Sequence, residues 1–355
     1  MTLTFAPSTT RSLLRRGAAG VALVGLALSV SACANAAPDD AAAGNAAETA
    51  ATETADAAAP AETAAYPVTV DNCGDDLVIE AQPEKVMVLT TVPLGSIEAA
   101  GGLEQVTEYS GKFSGDWFSD DIRAHFADIE PLTEKVIQAD LTREAIVEFA
   151  PDLVIGSNGQ TINPQTLAEV GIPMYVLPAW CPNAPQTVSF DDAYAQVEVF
   201  GRIFGHPDAA AASVDDMKAR VAAASADVGD LATAAFIWPD KTGVLKSYGA
   251  GSVATSQLEV LGLSNVFGDE KGRGFDISIE SLVAQDPDVI VVVYPEDGTA
   301  EAAIDALRAV PGADALTALK EDRLLTTQPA MIDPAGAYSV VGLERLAGQL
   351  AGLSK

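Results

Sequence analysis

One stretch of this sequence occurs twice, and the repetition limits what the chain can fold into more than any other feature. Thr142-x-Glu144-x-Ile146-Val147, followed by Pro151-Asp152-Leu153-Val154-Ile155, returns as Ser278-x-Glu280-x-Leu282-Val283 and Pro287-Asp288-Val289-Ile290-Val291. Each pair is separated by 136 residues, with no gap. In both copies a hydroxyl and a carboxylate open a helix, Pro-Asp turns the chain, and an unbroken apolar run follows. Such runs belong to strands covered on both faces, as in a parallel sheet between helices. The repeat therefore predicts an α/β fold of two related lobes. A weaker echo sets Ile97-Glu98-Ala99-Ala100-Gly101 against Leu258-Glu259-Val260-Leu261-Gly262.

Between the copies lies His206 to Gly229, whose apolar positions Ala210, Val214, Met217, Val221, Ala224 and Val228 step by three and four. That spacing predicts one helix with an apolar stripe, opened by Pro207 and stopped by Gly229. The expected organisation is a first lobe over 67–190, a connecting helical segment over 191–230 and a second lobe over 231–355. Short buried strands are expected at Val86 to Leu89, Leu153 to Ile155, Met174 to Leu177, Ala234 to Trp238 and Val289 to Val293. An extended opening stretch turns at Asn72-Cys73-Gly74.

The first 66 residues have a different character. Arg11, Arg15 and Arg16 precede an apolar run from Gly17 to Val30, which is short for a membrane span. The run ends in Val30-Ser31-Ala32-Cys33, similar to the lipobox of bacterial lipoproteins. Residues 1–32 are thus expected to be a signal peptide and Cys33 a lipid anchor; an ordinary secretory signal is the alternative. Residues 33–66, rich in Ala, Thr, Glu, Asp and Pro, read as a tether with nothing to bury. Export leaves Cys73 and Cys181 as an even pair in an oxidising compartment, and a disulfide between them is expected.

Charge excludes some partners. The whole chain carries 20 basic and 50 acidic residues. The leader takes three of the bases and the tether six of the acids, so the body from Pro67 keeps 17 and 44, a net of −27. A field of that sign repels nucleic acid and anionic lipid surfaces.

Catalytic constellations are hard to find. The two histidines, His125 and His206, have no partner at metal-ligand spacing, and no nucleophile-elbow, Walker or dinucleotide motif occurs. Gly249-x-Gly251 is a fragment of a phosphate fingerprint without the rest. The chain is read as no enzyme, with no cofactor and no directly bound metal.

Binding is the better prospect. Ligands of open α/β sheets sit at the carboxyl ends of the strands, and two facing lobes share one cleft there. Loops at those ends hold Tyr109, Trp117, Phe118, Trp180, Trp238, Tyr248 and Tyr294. Some of these aromatics are expected to pack as lids on their own lobe, and the others to meet a ligand. Lys112, Lys246 and Arg273 are the basic candidates for oxygen-rich ligands.

These residues resemble a known group, the substrate-binding lipoproteins of ABC importers for ferric siderophores, cobalamin and haem. The likeness rests on Pro83-Glu84-Lys85-Val86-Met87-Val88-Leu89, both Pro-Asp-strand units, Leu261-Gly262-Leu263-Ser264-Asn265-Val266-Phe267, the aspartate-rich central helix and the Asn72-Cys73-Gly74 opening, which looks actinobacterial. The resemblance implies two Rossmann-like lobes joined by one long rigid helix, the class III binding-protein fold, with a pre-formed cleft. It implies a monomer on the outer face of the cell membrane that delivers its ligand to an ABC importer permease. Glu98 and Glu259 are this sequence's candidates for permease docking, although relatives often carry the glutamate one turn earlier, where Gly95 and Ser256 stand. The expected ligand is a ferric siderophore, with the hydroxamate type favoured because a triscatecholate is strongly anionic. Haem, with His125 or Tyr248 on the iron, and cobalamin are alternatives, and a two-lobed α/β enzyme is a more distant one.

Overall fold

In the computed structural model of the protein, residues 66–113, 115–134, 141–240 and 242–353 are described. The chain enters through an antiparallel hairpin, β1 (Val68–Asn72) and β2 (Asp75–Ile79), which turns at Cys73 and Gly74 with positive φ. Strand and helix then alternate: β3 (Val86–Val88), α1 (Leu94–Ala99), β4 (Val106–Tyr109), α2 (Asp120–His125), α3 (Arg143–Phe149), β5 (Leu153–Gly156), α4 (Pro164–Ala168) and β6 (Met174–Val176). Strands β3 to β6 form a parallel sheet in the order β4-β3-β5-β6. Every residue of β3, β5 and β6 is buried, as their unbroken apolar runs require.

Two helices follow, α5 (Phe190–Phe204) and α6 (Pro207–Ala223). The second sheet uses β7 (Thr233–Pro239), β8 (Leu245–Tyr248), β9 (Ser264–Asn265), β10 (Gly274–Ile277), β11 (Val289–Val293) and β12 (Leu324–Thr327). Helix α7 (Val253–Val260) precedes β9, and α8 (Ile279–Gln285) precedes β11. Helices α9 (Ala300–Ala309) and α10 (Thr317–Lys320) lie between β11 and β12, and α11 (Ala337–Leu353) ends the chain. The strand order is β10-β8-β7-β11-β12, with β9 beside the start of β7.

The repeated unit keeps its physics in both sheets. Thr142 caps α3 by accepting the Ala145 N–H at 3.2 Å, and Ser278 caps α8 by accepting the Ser281 N–H at 3.1 Å. Both helices end on a left-handed residue that is not glycine, Ala150 at φ 49° and Asp286 at φ 38°. The aspartate of each Pro-Asp turn then reaches across to the strand its own sheet starts from. Asp152 accepts the Glu84 and Lys85 N–H groups at 2.8 and 3.0 Å, next to β3. Asp288 accepts the Ala232 and Thr233 N–H groups at 3.0 and 2.9 Å and the Thr233 hydroxyl at 2.8 Å, next to β7. Pro-Asp is therefore a clip that sets the register of two parallel neighbours, β3 with β5 and β7 with β11.

Three features differ from the sequence reading. The connection is not a single strut over 206–229. Gly205 takes φ 82°, which closes α5, and Pro207 starts α6, which stops at Ala223 because Ala224 is extended. The stripe still packs as expected, with Ala210, Val214 and Met217 buried and Val221, Ala224 and Val228 against the same core. The second sheet is mixed: β8 pairs antiparallel with both β7 and β10. Finally, several elements were not foreseen, among them β4, β10, β12, α4, α9, α11 and β8, which lies in a stretch that reads as a loop. β4, Val-Thr-Glu-Tyr, is short and does not alternate apolar with polar residues, and α11 is amphipathic only in part.

One hydrophobic cluster joins the lobes. It takes Val86, Val88 and Ile155 from the first sheet, Phe236, Val289 and Val291 from the second, and Val197, Phe200, Val214, Leu343 and Leu346 from α5, α6 and α11. Smaller clusters cover the outer face of each sheet. Across the seam, Ser96 in α1 accepts the Ala337 N–H at the start of α11 (3.0 Å), and Arg345 of α11 pairs with Asp116 at 2.6 Å. Arg220 of α6 pairs with Glu344 of α11 through two bonds of 2.8 Å.

The clip can be tested by removal. Burial raises the Asp288 carboxyl, but its bonds to Ala232 and Thr233, with Arg323 nearby, outweigh that and leave it below the ordinary range. Asp288→Ala is expected to lower unfolding free energy by about 1–3 kcal/mol, since it strands half-buried donors. The more exposed Asp152→Ala should lose less. Denaturant unfolding checks both, and equal losses would contradict this reading.

Candidate ligand-binding site

The ten cleft candidates separate into distinct places. Tyr109, Trp117 and Phe118 are each only 5% exposed. With Phe113 and Phe126 they form an aromatic knot, with centroids 4.8–5.3 Å apart for Tyr109–Phe126, Tyr109–Phe113, Phe113–Phe126, Phe113–Phe118 and Trp117–Phe118. All three are part of the inter-lobe cluster, where Phe118 also meets Tyr338 of α11 edge-on at 5.7 Å, so their faces are already used by the core. Lys112 stands apart on the surface, paired with Glu134 at 2.7 Å. Tyr294, after β11, packs on the outer cluster of the second lobe. It borders a groove of about 430 Å³ with Asp116 and Arg345.

The remaining candidates come together. Trp238 on β7, Lys246 on β8 and Asp276 on β10 are direct cross-strand neighbours, so one row runs over three strands. Side chains alternate along a strand, so Tyr248 emerges on the face of Lys246, and its register partner is Gly274. The half-buried Trp238 and the buried Tyr248 both pack against the inter-lobe cluster, so this face is turned to the first lobe. Lys246 pairs with Asp276 at 3.3 Å. Immediately before Gly274, Arg273 brings its Nε within 3.3 Å of an Asp333 oxygen and donates from Nη1 to the Ala179 carbonyl at 3.1 Å. The latter bond crosses from the second lobe to the first.

Ala179 belongs to the loop after β6, at the carboxyl end of its sheet, and Trp180 follows it, half-buried against both the inter-lobe and outer clusters. This loop is fixed from behind. Cys73 and Cys181 are disulfide-bonded, with Cα atoms 5.2 Å apart. Asn72 donates to the Met174 carbonyl and accepts the Val176 N–H, each at 2.9 Å, so its amide acts as one more rung on the edge of β6.

Gly249 and Gly251 have a structural task here. The backbone of residues 270–273 lies so close that a Cβ at either glycine would collide with it, and the Ala250 N–H donates to the Glu270 carbonyl at 2.7 Å. The pair therefore lets the loop carrying Arg273 lie against the start of α7.

Two residues of the site have no sequence motif behind them. Asp333 is recognisable only through its fold neighbours, because it sits in an irregular turn ahead of α11. Asp276 does carry a signal, since Phe275 and Ile277 pack on the outer cluster around it in the two-residue period of a strand. Burial pushes the Asp333 carboxyl up to about 7, against the pull of Arg273. Burial also raises the Tyr248 hydroxyl, with the Asp333 charge adding to it and Arg273 opposing.

The histidines lie elsewhere. His125 Nε2 is 2.8 Å from the Val106 carbonyl, at the amino end of β4 and so at the far end of the sheet from the ligand-facing loops. His206 is the N-cap of α6. Of the docking candidates, Glu259 is exposed on α7, while Glu98 is half-buried and accepts a hydrogen bond from Ser119. Burial raises the Glu98 carboxyl, Ser119 lowers it, and Asp121 raises it further. Cys33 lies outside the described residues, and among those described no helix is long and apolar enough to cross a membrane.

Comparison with known proteins matches residues 86–331 to the periplasmic binding protein family. A solved structure from Saccharomonospora viridis, described as an ABC-type Fe3+-hydroxamate transport system, is 34% identical with a TM-score of 0.73. It covers 81% of this chain and all of its own. A periplasmic haem-binding protein from Pseudomonas aeruginosa is 20% identical, has a TM-score of 0.59 and covers 76% of this chain and 93% of its own, a likeness of fold. A cobalamin-binding protein from Halobacterium salinarum is 26% identical over 245 residues, 66% of this chain. The match spans 60% of that curated relative's length.

The raised Asp333 carboxyl gives a signed prediction. An acid that holds its proton more tightly when folded stabilises the fold at low pH, and loses that contribution as pH rises from the ordinary carboxylate range through about 7. The melting temperature of Asp333→Asn relative to wild type should therefore increase between about pH 5 and about pH 8. Thermal melts across that range check it, and a flat difference would contradict it.

Proposed function

The chain belongs to the periplasmic binding protein family, and on that premise we propose that it captures a ferric siderophore of the hydroxamate type and delivers it to an ABC importer. Members of this family bind solutes for transport systems, so the protein is a binding protein and not an enzyme. The observation that carries the ligand reading is the seam around Arg273. A guanidinium bonded across the lobes, at the Ala179–Trp180 loop and near Tyr248, offers donors for oxygen ligands, and the Trp238–Lys246–Asp276 row of the same sheet adds a flat apolar wall for a chelate's organic shell. The Arg273 Nη1 donates to the Ala179 carbonyl and its Nε lies 3.3 Å from an Asp333 oxygen, and the planar donor fork of a guanidinium suits oxygen ligands. The name of the Saccharomonospora structure supports the hydroxamate class.

In this reading Trp180, Trp238, Lys246 and Arg273 contact the ligand, and the buried Tyr248 lies directly behind them. The aromatic knot of Tyr109, Trp117 and Phe118 serves as rigid backing, and Lys112 and Tyr294 lie outside the site. The protein works as a monomer, with a lobe over 67–190 and a lobe over 231–355 joined through 191–230. Residues 1–32 are the signal peptide, Cys33 carries the lipid, and 33–66 tether the body to the outer face of the membrane. Glu259 and Glu98 meet arginines of the permease.

The Halobacterium relative favours a second reading, cobalamin as ligand. Tryptophan-fluorescence titration separates the two. We expect saturable quenching by an uncharged ferric trishydroxamate such as ferrichrome, and little response to cobalamin or haemin. Saturation by cobalamin or haemin alone would overturn the proposal. For docking, Glu259→Lys should abolish uptake in cells while ferrichrome affinity in solution stays as in wild type, and lost affinity would make Glu259 structural.

A further inference from the structure

We propose that Asp276 and Asp333 are the residues that set the charge class of the ligand, by neutralising the two cations of the seam so that the cleft admits uncharged ferric complexes and rejects polyanionic ones. The inference rests on the siderophore reading above and adds to it the residues that enforce selection.

Arg273 and Lys246 are the basic side chains that the Trp238–Tyr248 face brings to the seam, and each has a carboxylate of its own lobe as partner, at 3.3 Å in both cases. The four formal charges sum to zero. Asp333 is the more enclosed of the two acids, with 16% of its side chain exposed against 67% for Asp276. Selection thus has an inner and an outer member.

A pair of this kind treats ligands differently according to charge. An uncharged complex that settles on the aromatic walls can accept the remaining guanidinium N–H bonds without separating Arg273 from Asp333. A trianionic complex must shed its water in a site with no net positive charge, and it meets two carboxylates beside the cations it seeks. The surrounding body, at −27, adds repulsion that extends about 8 Å at physiological ionic strength.

The test uses the purified protein with each acid made neutral and isosteric, Asp276→Asn and Asp333→Asn, titrated by tryptophan fluorescence at about pH 8, above the range to which burial raises Asp333. The probes are ferrichrome, uncharged, and ferric enterobactin, a trianionic triscatecholate. The reading is the ratio of the two dissociation constants. We expect Asp333→Asn to lower the preference for ferrichrome at least about tenfold and the exposed Asp276→Asn to lower it about threefold, with both changes shrinking as salt is added. Asp276 is exposed on an edge strand, so its variant keeps the test valid even where Asp333→Asn unfolds. An unchanged ratio in both variants overturns charge selection alone, and a wild type that binds no ferrichrome overturns the siderophore reading beneath it.

Discussion

The apolar cluster shared by both sheets is the constraint on which the rest of the structure depends. Neither sheet closes its inner face alone: Val86, Val88 and Ile155 on one side and Phe236, Val289 and Val291 on the other are buried in the same core, filled by α5, α6 and α11. Burial at about 25 cal/mol per Å² makes such a surface costly to expose, so a wide opening of the lobes would have to break the core itself. The cleft is therefore held in shape by packing, and small motions at its rim are what remain available.

Onto this frame the chain builds a site from loops that are individually secured. The loop with Ala179 and Trp180 is tied by the Cys73–Cys181 bond and by the Asn72 side chain. The loop with Arg273 lies against the glycines before α7. The bond from Arg273 to Ala179 then joins the two. A ligand entering a site arranged in this way pays little for ordering it.

The two lobes were legible in the sequence because the repeated unit states its own physics: a hydroxyl cap, a Pro-Asp clip and a strand apolar at every position. That the copies match down to the left-handed caps at Ala150 and Asp286 shows one local solution used twice. What was not legible depends on tertiary context. β8 runs antiparallel to both β7 and β10, and its four residues carry no sign of that direction. Tyr109, Trp117 and Phe118 look in sequence like the other loop aromatics, and only their packing with one another and with Tyr338 assigns them to the core. Asp333 carries no motif, and its meaning comes from Arg273, 60 residues away in sequence.

The central claim is that a ferric chelate sits at the seam of a cleft that is already formed. Anomalous scattering at the iron edge, from crystals of the protein with ferrichrome, tests it most directly. The account predicts one iron peak between the Trp180 loop and the Trp238–Lys246–Asp276 row, with the lobes arranged as in the free protein. An iron peak elsewhere, or a loaded form whose lobes have swung apart from the shared core, would contradict it.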